Sequence, residues 1–103
     1  MPNTALFIKT RTMPGKRDEV QRLWEGHLKD RAQTNPAQEV YFFCLDDDDP
    51  DTLLLFEIYN DAAAMAENAN SEWFAEYARQ VGPLIQGRPE IHRATPVWQK
   101  LPG

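Results

Sequence analysis

The sequence contains a set of aromatic and amide side chains and one carboxylate that could line a binding site. These residues are Trp24, Glu57, Tyr59, Asn68, Trp73, Phe74 and Tyr77. A mostly apolar pocket with a few polar groups is the usual composition of a site for a small molecule. Aromatic residues at helical spacing are also typical of a packed core, and the spacing taken alone favours the core.

The two histidines are the next candidates for chemistry. His27 and His92 have no metal-binding spacing, so they give little support to a metal site. His27 lies on the apolar stripe of a predicted helix, where a partly buried, hydrogen-bonded imidazole is commoner than a catalytic base. His92 stands beside Arg93 in a predicted strand and is less informative.

An acidic run, Asp46 to Asp49 followed by Asp51, offers oxygen ligands of the kind that calcium and magnesium prefer. It lacks the glycine and the closing glutamate of an EF-hand loop. We therefore predict a solvated hairpin loop rather than a metal site. The run also accounts for the net charge, because 11 basic and 16 acidic residues give −5, and five of the acidic residues are these aspartates.

Several function classes lack support in the sequence. The acidic balance argues against a nucleic-acid partner. There is no glycine-rich phosphate loop and no serine nucleophile elbow, so nothing indicates nucleotide binding or acyl transfer. Cys44 is the only cysteine, which rules out an intrachain disulfide, and we expect it to be buried within the apolar run Val40–Leu45.

Length and hydropathy predict one small domain spanning residues 1–103. The longest apolar run has six residues, far fewer than the ~20 needed to cross a bilayer. The apolar segment near the N-terminus is interrupted at Lys9 and has no basic region before it. We therefore expect a cytoplasmic protein with no membrane association.

The hydrophobic patterning predicts which elements position the candidate residues. Strands are predicted over 4–12, 39–45, 52–59 and 89–98, one helix over 16–33, and a second helical region from Ala62 towards Gly87, bent or restarted at Asn70-Ser71. The order β-α-β-β-α-β is that of an α+β, ferredoxin-like fold. It places two helices on one face of a four-stranded antiparallel sheet, with the last strand at an edge.

Both faces of that sheet are predicted to be apolar. In the second strand Val40, Phe42 and Cys44 point one way, and Tyr41, Phe43 and Leu45 the other. In the third strand Leu54, Phe56 and Ile58 oppose Leu53, Leu55 and Tyr59. Two helices can cover only one face, so we predict a homodimer in which the two sheets pack against each other.

Five short segments resemble the antibiotic biosynthesis monooxygenase (ABM) family over nearly the whole chain. They are Pro14-Gly15-Lys16, Asp49-Pro50-Asp51, Glu57 to Asp61 with Ala63-Ala64, Ser71 to Phe74, and Gly87 to Glu90. The resemblance implies a small ferredoxin-like protein that forms a dimeric α/β barrel with a pocket between helices and sheet. Members include cofactor-independent monooxygenases of quinols and phenolic polyketides, haem-degrading enzymes, and enzymes that act on small signalling molecules.

The chain departs from that family at its functional positions. Many members carry histidines where this chain has Asn68 and Trp73, and haem-degrading members have a haem-ligating histidine at the position of Ala78. The resemblance therefore argues against haem degradation. It also leaves the general base open, because an asparagine cannot take a proton. The candidates are His27, Glu57 and Tyr77.

The resemblance implies a monooxygenase that uses no cofactor or metal and acts on a small aromatic or quinone-like substrate with molecular oxygen. The residues predicted to bind the substrate are Trp24, Tyr59, Asn68, Trp73 and Tyr77. One alternative is a non-catalytic dimeric module that binds a small molecule on the same scaffold. Another is an isomerase or degrading enzyme for a signalling molecule, since one fold supports many activities.

Overall fold

A computed structural model describes residues 3–100, and the outermost residues of the domain predicted over 1–103 lie outside that range. Its elements are β1 (Thr4–Arg11), α1 (Arg17–His27), α2 (Lys29–Thr34), β2 (Gln38–Leu45), β3 (Thr52–Tyr59), α3 (Ala62–Ala69), α4 (Glu72–Val81), a 3₁₀ turn (Gly82–Leu84) and β4 (Glu90–Ala94). The four strands form one sheet in the order β2-β3-β1-β4, with antiparallel pairing throughout. The predicted ferredoxin-like fold is confirmed, and β4 is an edge strand as expected.

The prediction of one helix from Lys16 to Gln33 is wrong, because the structure interrupts it at Leu28. This residue has φ −116° and ψ −27°, and its side chain is buried. Gly26 comes shortly before it, and glycine weakens a helix by roughly 1 kcal/mol relative to alanine. The helix is therefore interrupted where a weak position precedes a residue that packs into the interior.

The last strand is shorter than the predicted 89–98. Pairing between β4 and β1 ends where Ala94 lies opposite Ala5, close to the first residue of β1. Beyond this point β4 has no neighbouring strand to pair with, and Pro96 has no backbone N–H to donate. The strand therefore ends at Ala94.

The helices cover one face of the sheet, and the hydrophobic core lies between the helices and this face. Val20 of α1, Leu53 of β3 and Val81 of α4 form its fully buried centre. The helix-facing positions of β2 and β3 follow the predicted alternation, with Tyr41 opposite Glu57. This layer holds the polar residues of the candidate site.

The other face of the sheet has no helix over it, and we call it the open face. Phe42 retains 56% of its exposed area and Phe7 48%, and the rings of both pack on Phe56 at centroid distances of 6.1 and 4.8 Å. A groove of about 720 Å³ lies between this face and residues that include Pro96 and Trp98. Both faces of the sheet are therefore apolar, as predicted.

The prediction that Cys44 is buried is wrong for the single chain. Cys44 lies opposite Leu54 on the open face and is exposed. Its apolar neighbours in sequence indicated burial, but its position in the strand places it on the uncovered side of the sheet. Its exposure is therefore a property of the open face as a whole.

The acidic run forms the loop between β2 and β3, as predicted, but its carboxylates are used within the loop. Asp46 Oδ1 accepts hydrogen bonds from the backbone N–H groups of Asp48 and Asp49 at 2.8 and 3.3 Å. Asp51 Oδ1 accepts one from Gly15 N–H at 2.9 Å, and Gly15 has the positive φ of 77° that glycine adopts without strain. These bonds fix the turn and attach it to the start of α1.

No helix formed by residues 3–100 has the length and apolar composition needed to cross a membrane.

Candidate functional site

Glu57 is a buried carboxylate in the layer between sheet and helices. It lies on β3, where only 6% of its surface is exposed. Its Oε1 accepts hydrogen bonds from Gln38 Nε2 at 2.7 Å and from the Tyr59 hydroxyl at 3.1 Å. Burial raises the pKa of Glu57, and these two hydrogen bonds partly oppose the shift. Such a carboxylate is a stronger base than an ordinary one once it is ionised.

Tyr59 connects this carboxylate to the helices. Its hydroxyl accepts hydrogen bonds from Gln38 Nε2 at 2.9 Å and from Asn68 Nδ2 at 3.1 Å, so its own proton is directed to Glu57. Burial, together with the nearby charge of Glu57, raises the pKa of Tyr59 well above its usual range. Tyr59 therefore stays protonated and acts as a fixed donor to Glu57.

Asn68 is held at the junction between α3 and α4. The Ser71 hydroxyl caps α4 by accepting from Phe74 N–H at 3.3 Å, and it donates to the Asn68 carbonyl at 2.7 Å. The Asn68 side chain accepts from Trp73 Nε1 at 3.3 Å while it donates to Tyr59. Trp73, Asn68, Tyr59 and Glu57 thus form a row of side chains, the polar row, in which every hydrogen bond is donated towards Glu57.

Tyr41 brings a second hydroxyl close to Glu57. It faces Glu57 across the β2–β3 pairing and accepts a hydrogen bond from Trp24 Nε1 at 2.9 Å. Burial, followed by the charge of Glu57, raises the pKa of Tyr41 above its usual range. The phenol is therefore neutral, and within residues 3–100 no side chain or backbone group accepts its proton.

Two cavities adjoin these residues. An inner cavity of about 30 Å³ is lined by Leu28, Arg31, Ala32, Gln38, Tyr41, Glu57, Asn68 and Phe74. An outer cleft of about 380 Å³ is lined by Arg31, Thr34, Asn35, Ala37, Ala64, Glu67, Asn68 and Trp73. The inner cavity has roughly the volume of one water molecule. Arg31 and Asn68 line both cavities and therefore form the boundary between them.

Glu57 and Tyr41 give the inner cavity complementary polar groups. Glu57 Oε1 takes both hydrogen bonds that the carboxylate receives, and Oε2 has no donor among residues 3–100. The Tyr41 hydroxyl has a proton to donate, and both residues line this cavity. The cavity thus offers an acceptor and a donor, the two partners that a single water molecule or a substrate hydroxyl requires.

The structure separates the residues predicted for the site into two groups. Glu57, Tyr59, Asn68 and Trp73 come together in the polar row, and Trp24 adjoins it through Tyr41. Tyr77 packs against the central core and its ring lies 6.1 Å from that of Phe74; burial raises its pKa to about 12. His27 is half-buried at the end of α1, and neither His27 nor Tyr77 lines the inner cavity or the outer cleft.

Three residues of the site were absent from the sequence prediction. Tyr41 could have been found by aligning the predicted hairpin, since it lies opposite Glu57. Gln38 could not, because an irregularity in the pairing between Gln38 and Val40 changes the alternation of side chains there. Arg31 falls within the helix predicted over 16–33, but nothing in the sequence distinguishes it from the other charged residues of that segment.

Over the part of the chain that is described, no three His, Cys, Asp or Glu residues cluster in a way that could hold a metal ion. The polar row and the inner cavity together contain one carboxylate, that of Glu57, with phenols, amides, an indole and the guanidinium of Arg31. These groups bind and orient an organic molecule and accept or donate protons.

Known structures share this fold across nearly their full length. A protein from Chloroflexus aurantiacus, provisionally named an antibiotic biosynthesis monooxygenase, has a TM-score of 0.81 and 22% identity, with 98% of this chain and 99% of that one covered. One from Caulobacter crescentus with the same provisional name has a TM-score of 0.86 and 16% identity, covering 94% and 92%. A Nitrosomonas europaea protein of unknown function has a TM-score of 0.82 and 21% identity, covering 100% and 97%.

No protein-family model and no curated protein sequence matches this chain. Identities below a quarter establish the fold and leave the activity to be argued from the site. The fold is nevertheless the one implied by the ABM resemblance of the sequence, since two of these structures are provisionally named after that family.

Proposed function

We propose that this protein is a cofactor-independent monooxygenase of a small aromatic or quinol substrate, with Glu57 as the general base. The observation that carries the proposal is the carboxylate of Glu57, which is 6% exposed, lines the inner cavity and has one oxygen, Oε2, that receives no hydrogen bond from residues 3–100. The substrate lies in the outer cleft against Trp73 and Asn68. Its hydroxyl group reaches Glu57 directly or through one water molecule in the inner cavity.

The reaction balances without an added reductant. A quinol reacts with O₂ to give a hydroxyquinone and water: the two hydroxyl hydrogens leave in the water molecule, and one ring C–H becomes C–OH. One oxygen atom of O₂ enters the ring and the other becomes water. The four electrons that reduce O₂ all come from the quinol.

Two residues of the polar row, Glu57 and Asn68, act directly on the substrate in this reaction. Ionised Glu57 takes the first phenolic proton, which leaves an electron-rich anion that can pass an electron to O₂. Asn68 binds the substrate oxygen, but an amide cannot accept a proton at neutral pH.

Oxygen uptake with a panel of hydroquinones tests this function. Metal-free wild-type protein should consume oxygen, and Glu57→Gln, which keeps the shape but cannot accept a proton, should lower the rate by about 10²-fold or more. Asn68→Ala and Trp73→Ala should also lower it, whereas His27→Gln should not. No consumption by the wild type, or an undiminished rate in Glu57→Gln, contradicts the proposal.

The same assay decides between this function and the alternatives. A non-catalytic binding module is favoured by the small volume of the inner cavity and by Asn68, which stands where many ABM-family members carry histidine. It would bind aromatic molecules in the cleft and leave them unchanged. An isomerase or degrading enzyme for a signalling molecule would convert a substrate without consuming oxygen.

We also propose that two copies of the chain form a homodimer through their open faces. Support comes from the exposed rings of Phe7 and Phe42 beside Phe56 and from the exposed Leu54 and Cys44 on the same face. A continuous apolar area of this kind is rarely left in water by a monomeric protein.

A further inference from the structure

The guanidinium of Arg31 lines the outer cleft and stacks on an aromatic ring. Its Cζ atom lies 4.4 Å from the ring centroid of Trp73, which is a cation–π contact. Within residues 3–100, this guanidinium has no ion pair and donates no hydrogen bond. Stacking therefore holds the cation at the wall of the cleft and leaves its N–H groups available.

The surroundings of Arg31 provide a further donor and one opposing charge. Asn35 Oδ1 accepts a hydrogen bond from the Ala37 N–H at 3.0 Å. The amide nitrogen of the same side chain donates to no acceptor among residues 3–100. Glu67 is the single acidic residue among those lining the cleft. It lies beyond ion-pair distance of Arg31 and so does not neutralise it by direct contact.

We propose that the outer cleft is specific for aromatic molecules that carry a carboxylate, and that Arg31 binds this group. A planar guanidinium can donate two parallel hydrogen bonds to a carboxylate, a geometry that a neutral hydroxyl or amide does not match. The volume of about 380 Å³ accommodates a molecule of one or two fused rings. The inference rests on the proposed function, because it concerns the same cleft, and it narrows the substrate class to aromatic acids.

The orientation of the substrate follows from the position of Arg31 at the boundary of the two cavities. A carboxylate held by Arg31 places the attached ring inside the cleft, beside Trp73 and Asn68, both of which line it. A hydroxyl group elsewhere on the ring is then close to Asn68, which also lines the inner cavity beside Glu57. Arg31 is thus a specificity residue, and the base remains Glu57.

The test uses 1-naphthoate and 1-naphthamide, which have the same ring and nearly the same shape but differ in charge. Neither is a quinol, so binding is measured by calorimetry without turnover. We expect wild-type protein to bind the carboxylate about tenfold or more tightly than the amide. Arg31→Gln should remove this preference, and Arg31→Lys should restore part of it.

Arg22→Gln is the matched control, because Arg22 is an exposed arginine of α1 that lines neither cavity. It should keep the full preference. Glu67→Gln should strengthen binding of naphthoate and leave that of naphthamide unchanged. Equal binding of the two probes, an unchanged preference in Arg31→Gln, or no binding of either probe overturns the inference.

These outcomes are distinguishable from failure of the proposed function. Oxygen uptake with neutral hydroquinones and no preference for naphthoate would leave the monooxygenase in place and remove only the specificity for acids. Preferential binding of naphthoate, without oxygen uptake on any quinol or hydroxylated aromatic acid, would remove the monooxygenase and retain a binding site for aromatic acids.

Discussion

The Tyr59 hydroxyl donates a hydrogen bond of 3.1 Å to Oε1 of Glu57, two residues away on the same strand. Residues i and i+2 of a strand lie on the same face, so the pair is contained within one element and needs no other part of the fold to set its spacing. Gln38 completes the arrangement by donating to both residues from the neighbouring strand. The base of the proposed reaction is therefore held by two neighbouring strands, β2 and β3.

The first prediction concerns the stability of Glu57→Gln. The pKa of Glu57 is raised from its ordinary 4.5, so the folded protein keeps this proton to higher pH than the unfolded chain does. Wild-type stability therefore decreases as pH rises from about 4.5 through the raised pKa, and the variant lacks this loss. We expect its Tm to exceed that of wild type by a margin that grows towards neutral pH and reaches a few degrees.

Thermal unfolding at a series of pH values, from about 4.5 to about 8, measures that margin. Glu25→Gln, which changes an exposed carboxylate of α1, should show a margin that does not grow with pH. A Glu57→Gln protein that is less stable than wild type at neutral pH would show that ionised Glu57 stabilises the fold, contrary to the environment described here.

The second prediction is that Asn68→Ala weakens the polar row. Tyr59 loses one of its two donors and the Trp73 indole loses its acceptor. The free energy of unfolding should fall by about 1–3 kcal/mol, the usual cost of leaving buried polar groups without partners. Tryptophan fluorescence should also change, since Trp73 loses its hydrogen bond. Asn70→Ala, at the exposed end of α3, is the control and should alter neither quantity to that extent.

The third prediction concerns the open face. Light scattering coupled to size-exclusion chromatography should show a dimer for the wild type at micromolar concentration. Phe42→Lys places a charge on the open face and should give a folded monomer, since the Phe42 side chain is 56% exposed within one chain. Ala75→Lys, on the exposed side of α4, should remain dimeric. A monomeric wild type would contradict the proposed dimer.

Cys44 provides an independent measurement of the same interface. Its thiol is exposed in the single chain and lies on the open face. A thiol reagent should therefore modify it slowly in the wild-type dimer and rapidly in Phe42→Lys. Equal rates in the two proteins would show that the dimer, if formed, uses another surface.

The fourth prediction is that Ser71→Ala destabilises the protein by about 1 kcal/mol through loss of the helix cap. The Ser71 hydroxyl accepts from Phe74 N–H and also donates to the Asn68 carbonyl. Ser71→Asp should retain most of the stability, because aspartate also caps helices, but it cannot donate to Asn68. Urea unfolding of the three proteins separates the cap from the contact with Asn68; equal stability of Ser71→Ala and wild type would show that the cap contributes little.

The sequence contained enough information to predict the sheet and its two apolar faces. Alternation in residues 40–45 and 53–59 reports directly on side-chain direction, and the structure confirms it. The break at Leu28 and the early end of β4 were not predictable in this way. They depend on burial of one leucine and on where the neighbouring strand begins, and neither is a property of the local sequence.

The site was predictable only in part. Glu57, Tyr59, Asn68 and Trp73 were identified from their residue types and from the family resemblance. Spacing alone could not separate them from Tyr77, whose aromatic ring packs in the core. Arg31 became apparent only through its contact with Trp73, because two residues from different helices must meet before either indicates a binding site.

The pairing irregularity between Gln38 and Val40 affects how this protein can change during evolution. In a regular strand, Gln38 would share a face with Val40 and Phe42. Any change in the pairing register would then change the residues on both faces of β2 together. The unpaired Glu39 removes this dependence, so that Gln38 faces the site beside Tyr59 while Val40 and Phe42 face the other way. Substitutions that alter the proposed site and substitutions that alter the open face can therefore accumulate independently on one strand, whereas deletion of Glu39 would disturb both at once.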